Sequence, residues 1–200
     1  MILLDNEPIA IPKFISAQKL LEDKFLLEFS SNNDNNKKKR KISELNLGDI
    51  ACFVKPHTDF VCDIIVRGIL PKRHNGLESP TVFVLITDNK FDFYNITEIA
   101  DKKYRILDRV LKNVIVQRVF TIHQLAHFLI KELEKDITKY KSKLVVIIGD
   151  FFLSDPQITK EDKHWLYPQM IQSIKKIAVN SIILVFSPTK LSELVNYGLI

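Results

Sequence analysis

The stretch 81-TVFVLIT-87 decides the reading of the fold. It is an unbroken apolar run rich in β-branched residues, bounded by polar segments. Such a run suits a strand buried on both faces, as in a parallel sheet covered by helices on each side. Working outward, the same character recurs in Asp49–Val54, in 114-VIVQR-118, in 144-LVVII-148 and in 181-SIILVF-186. Between these runs the apolar residues take helical spacing. Helices are predicted over Asp59–Leu70, over Phe93–Val110 with Asn95 as a capping residue, over Ile122–Tyr140 and over Asp162–Ala178. In the third of these, Leu125, Phe128, Leu129, Leu133 and Ile137 fall on one face. Pro71–Pro80, with Gly76, predicts a loop. Strand–helix alternation of this kind predicts an α/β fold: a mostly parallel, doubly wound sheet of about five or more strands flanked by helices. The strand ends, and any ligand, are then expected along one edge.

The chain has 200 residues, 46% of them hydrophobic, enough for one sizeable core with at most a small appendage. A net charge of +5 permits anionic partners, nucleic acid above all. Cys52 and Cys62 sit in apolar surroundings and read as reduced core residues. No secretory leader is visible, and no apolar run approaches the roughly 18 residues of a membrane span.

Residues 1–43 are expected to form an N-terminal helical segment, with Leu20, Leu21, Phe25, Leu26 and Leu27, followed by a flexible basic loop, 30-SSNNDNNKKKRK-41. Lys37, Lys38, Lys39, Arg40 and Lys41 are candidate contacts to DNA phosphates or a nuclear import signal; the alternative is a solvated loop. Residues 44–200 form the core domain.

Three segments of that core carry a resemblance. The run 82-VFVLITDNKFDFYNITEIA-100, then 116-VQRVFTIHQL-125, then 144-LVVIIGD-150 resemble, in order and context, consecutive motifs of the RecA/RadA-type recombinases. The third stands where that family has its Walker B strand. The likeness covers roughly residues 44–190. It implies a RecA-like P-loop NTPase-type core lacking the family's C-terminal strands.

Position by position, the resemblance implies an eroded nucleotide site. A phosphate loop needs consecutive glycines so that backbone N–H groups can turn inward around phosphate oxygens, and a lysine to reach them. Here no glycine lies between Asp49 and Arg67, and Pro56 removes an N–H donor. His57 stands where the family's Lys would be, and Thr58 matches the Mg²⁺-binding hydroxyl. Asp88 aligns with the water-activating Glu, and Asp150 with a Walker B carboxylate displaced behind Gly149. Turn and helix-cap roles for Asp88, and a structural role for Asp150, are the alternatives. Ser187-Pro188 replaces the final polar sensor.

The family docks end to end through a Phe-x-x-Ala element. In 14-FISA-17, Phe14 and Ala17 carry those letters; local packing of an N-terminal helix is the alternative. In 162-DKHWLYPQ-169, Trp165 and Tyr167 lie among cations, so Lys160, Lys163 and Trp165, with Arg118, are candidate contacts to DNA or a partner. Packing of these aromatics on the sheet is the alternative. His123 and His127 have zinc-compatible spacing, but Gln124 stands where a zinc protease needs Glu. Neither cysteine has an evident activating group.

The resemblance thus implies a non-catalytic accessory protein of homologous recombination and DNA repair. It would be a pseudo-ATPase with no cofactor that binds a recombinase or paralogue and DNA, forms an oligomer and has no membrane contact. Its compartment would be the nucleus in a eukaryote, or the cytoplasm and nucleoid in an archaeon. The alternatives are a divergent ATP-hydrolysing protein using Thr58, Asp88 and Asp150, and a structural subunit without DNA contact.

Overall fold

A computed structural model describes residues 14–15, 42, 45–54, 56–87, 91–150 and 158–187; for Phe14, Ile15, Cys52, Val54 and Lys160 it describes the backbone alone. The expected N-terminal helix and the basic loop with Lys37, Lys38, Lys39, Arg40 and Lys41 lie outside these residues.

Five main strands form one all-parallel sheet: β2 (Ile50–Val54), β3 (Val82–Ile86), β4 (Val114–Arg118), β5 (Leu144–Ile148) and β6 (Ile182–Ser187). A two-residue strand, β1 (Phe14–Ile15), adds to one edge, parallel to β2. The order across the sheet is β1-β2-β6-β5-β3-β4. Phe14 and Ile15 are therefore extended backbone, not part of the helix that the local-packing alternative assumed.

Successive strand residues point to opposite faces, and both faces are covered. On one side Val82, Val84 and Ile86 of β3 pack with Val146 of β5 and Leu184 of β6. The helices there are α1 (Thr58–Ile69), α2 (Tyr94–Ile99) with the π turn Ala100–Tyr104, and α3 (Leu107–Asn113). On the other side Phe83, Leu85, Val145 and Val185 meet α4 (Ile122–His127), the π turn Phe128–Glu132, α5 (Leu133–Tyr140) and α6 (Lys160–Ala178). This two-sided burial is why β3, β5 and β6 read as continuous apolar runs. Edge strand β4, only half-buried, ends in Gln117 and Arg118.

Two expected helices are subdivided. The Phe93–Val110 helix stops at Arg105, which takes the left-handed conformation (φ 55°). Asn95 is not its cap, because it lies inside α2; the Asp92 carboxylate accepts the Tyr94 N–H at 2.8 Å instead. The Ile122–Tyr140 helix widens at Phe128–Glu132, where Ser173 of α6 donates to the Leu129 carbonyl at 2.5 Å. A side chain taking a carbonyl from the helical ladder is a recognised origin of such irregularity.

Candidate functional site: the carboxyl edge of the sheet

β3 leads to helices on one face and β5 to a helix on the other, although the two strands are neighbours. Their carboxyl ends form a topological switch point, where open α/β sheets ordinarily bind ligands. Strands β2, β6, β5 and β3 end side by side there. His57–Thr58, Ser187 and Asp150 thus converge on one edge, although they are far apart in sequence. Asp88 lies outside the described residues.

The β3–β5 crevice is stitched shut. The Thr87 N–H donates to the Ile148 carbonyl at 2.8 Å, and the Thr87 hydroxyl lies 3.2 Å from that oxygen and 3.0 Å from the Asp150 carbonyl. Gly149, at φ 111°, turns the chain out of β5 and donates to Phe186 at 2.8 Å. Asp150 is half-buried.

The turn after β2 follows from its sequence. His57 is extended and caps α1, its Nδ1 accepting the Asp59 N–H at 3.4 Å. The Asp59 carboxylate stands in the first turn, 3.6 Å from the same imidazole. A helix N-terminus favours negative charge, and Asp59 supplies it from the first turn, with its side chain largely exposed. One residue on, Phe60 turns inward. Its ring lies 5.6 Å from Phe53 of β2 and 6.2 Å from Phe186 of β6, which stack on each other at 4.9 Å. An aromatic cluster therefore backs the turn where a phosphate loop would need an open amide nest. Thr58 is exposed at the start of α1.

Cys62, further along α1, is fully buried. Burial first, then the Asp59, Asp92 and Asp63 carboxylates, push its thiol up to about 12, so it is no nucleophile at neutral pH.

Of the remaining candidates, Arg118, Lys163 and Trp165 lie around the same edge. Trp165 is 66% exposed near the start of α6, whereas Tyr167 is buried in the core. Helical phase explains the split: Leu166, Tyr167, Met170, Ile171 and Ile174 form the buried stripe, and Trp165 falls outside it. Lys163 is half-buried two positions before Trp165; the Lys160 side chain is outside the described residues. Arg118, at the end of β4, is exposed and donates to the Phe91 carbonyl at 3.2 Å. Among the described residues, the exposed aromatics Phe120, just after β4, and Tyr94, at the start of α2, were not singled out from sequence. For Phe120 the signal was available, since it is an aromatic residue out of phase with the buried pattern just after a strand end. Ala17 and the Phe14 side chain lie outside the described residues.

His127 sits 3.1 Å from Glu132, and among the described residues no group of three His, Cys, Asp or Glu is arranged to hold a metal ion. Among the same residues no helix is long and apolar enough to cross a membrane.

The start of α6 is held by a reciprocal capping box. The Thr159 hydroxyl accepts the Asp162 N–H at 3.1 Å, and the Asp162 carboxylate accepts the Thr159 N–H at 3.3 Å and its hydroxyl at 2.8 Å. These bonds lower the Asp162 pKa. The helix end that presents Lys163 and Trp165 is thereby fixed.

No protein-family model matches the chain, and no curated protein matches it.

Proposed function

We propose that the chain is a non-catalytic, recombinase-like accessory protein of homologous recombination and DNA repair. It has a RecA-like core with a lost phosphate loop, and it acts by binding a recombinase or paralogue and DNA. One observation carries the reading: the strand–turn–helix at the carboxyl edge is capped, charged and backed by its own side chains. His57 caps α1, Asp59 supplies the negative charge and Phe60 closes the space behind the turn against Phe53 and Phe186. The strand and helix that a phosphate loop requires are kept, and its amide nest is replaced by packing. Function then moves to the surface, where Trp165, Phe120, Lys163 and Arg118 offer stacking and charge around one edge.

The test has two arms. In the first, melting temperature is followed with Mg²⁺–ATP for the native chain and for Thr58→Ala. No Thr58-dependent shift is expected; a shift abolished by Thr58→Ala overturns the non-catalytic reading. In the second, fluorescence anisotropy is recorded with single- and double-stranded oligonucleotides. Binding that weakens steeply with salt is expected. Absence of binding at low salt removes DNA from the function and leaves a protein-binding subunit.

A further inference from the structure

The opposite end of the sheet carries a second concave site, which none of the motifs above touches. A cavity of about 600 Å³ opens between the end of α1, the turn after it and the junction of the π turn with α3. Four cationic side chains line it, Arg67, Arg73, Lys103 and Arg109, with Tyr104 and Ile106 among the less polar parts of the wall. No described carboxylate lines it. Asp101 and Asp108 belong to an adjoining cavity that shares only Ile106 and Arg109 with it.

Two of the four cations are held in place. Asp63 of α1, 2% exposed, accepts Arg67 Nε at 2.6 Å through one oxygen. Through the other it accepts Lys103 Nζ at 2.8 Å and the Tyr104 hydroxyl at 2.7 Å. The Arg67 guanidinium also lies over the Tyr104 ring, 5.7 Å from its centroid. The π turn Ala100–Tyr104 is the segment that brings Lys103 and Tyr104 onto α1; π turns of this kind recur at ligand sites. The facing wall is equally tight. Leu77 donates to the Arg67 carbonyl at 3.2 Å, and Gly76 to that of Pro71 at 3.1 Å. A Cβ on Gly76 would lie 2.0 Å from the Leu70 carbonyl oxygen, so only glycine closes this turn.

We propose that this cavity binds a small phosphorylated ligand, its phosphate or diphosphate held by Arg67, Arg73, Lys103 and Arg109. The less polar part of the ligand rests on Tyr104 and Ile106. Arginine suits phosphate because its planar fork matches the oxyanion geometry. The volume is that of a small-ligand site. Asp63 fixes Arg67 and Lys103 before the ligand arrives, which lowers the ordering cost of binding. The proposal is independent of the carboxyl-edge reading, because none of its residues lies at that edge.

The test is calorimetric titration of the full chain with sodium pyrophosphate at constant ionic strength, with ADP and a 5′-phosphorylated oligonucleotide as parallel arms. Saturable binding of pyrophosphate or ADP is expected. Arg73→Gln with Arg109→Gln, both at exposed positions, should weaken it about tenfold per cation removed. Lys131→Gln with Lys135→Gln, which removes the same charge from the other face, should leave it unchanged. If the first pair fails to fold, Arg109→Gln alone carries the comparison. Absence of saturable binding, equal weakening by both pairs, or binding of the oligonucleotide alone overturns the proposal.

Discussion

Arg67 donates its Nε to Asp63 Oδ2 at 2.6 Å, one helical turn away on α1, with both side chains almost wholly buried. A buried carboxylate is tolerated only when its charge and lone pairs are matched, and Lys103 and Tyr104 complete the set. Asp63→Ala leaves Arg67 buried beside an empty space and should cost about 3–5 kcal/mol in urea unfolding. Asp63→Leu with Arg67→Met, which removes both charges, should recover most of that loss. A single-variant cost below about 1 kcal/mol would show that water replaces the carboxylate there.

Gly68 lets α1 lie directly on the sheet. A Cβ there would sit 2.5 Å from Val82 Cγ2 and 2.7 Å from Leu144 Cδ2. Gly68→Ala should therefore lower stability by about 1–3 kcal/mol through overpacking. Val82→Ala, made in the Gly68→Ala background, should return part of it by opening the space. Chemical denaturation of Gly68→Ala, of Val82→Ala and of the double variant measures the coupling directly.

The α6 capping box gives a pH signature. Hydrogen bonds from Thr159 lower the Asp162 pKa from its ordinary value of 3.8. A depressed carboxylate contributes stability in full above its unfolded pKa, and that contribution is lost as pH falls through the folded value. The gap in melting temperature between the native chain and Asp162→Asn should thus be present at pH 7 and close progressively below about pH 4. Thr159→Ala should cost about 1 kcal/mol at neutral pH.

Trp165 is exposed on an anchored helix end, so its removal should leave the fold intact. Trp165→Ala should weaken single-stranded DNA binding by about 1–3 kcal/mol with little change in melting temperature. Lys163→Gln should instead reduce the salt dependence by about one phosphate contact. If both variants bind as the native chain does in anisotropy titrations, this face is not the DNA interface.

Much of the fold was legible in the order of residues. β3, β5 and β6 announce themselves because burial on both faces leaves no polar alternation to confuse with a helix. The helix limits were close where caps are local, as at Thr159, and wrong where tertiary contacts intervene. Ser173 reaches Leu129 from another helix, and Lys103 with Tyr104 turns toward a carboxylate on α1. Local periodicity carries no trace of such contacts, so the π turns were read as plain helix.

The sequence by itself determined the α/β alternation, the parallel character of the sheet and the absence of a glycine nest after β2. These properties depend on residue type and near-neighbour spacing alone. Only the tertiary structure decided the strand order that brings His57, Thr58, Asp150 and Ser187 to one edge, and the burial of Tyr167 beside an exposed Trp165. It alone assembled the cationic cavity around Asp63, because Asp63, Arg73, Lys103 and Arg109 come from segments whose meeting depends on how α1 and the π turn pack. Charge, read along a chain, says how much there is; only packing says which cations share a space and which carboxylate holds them there.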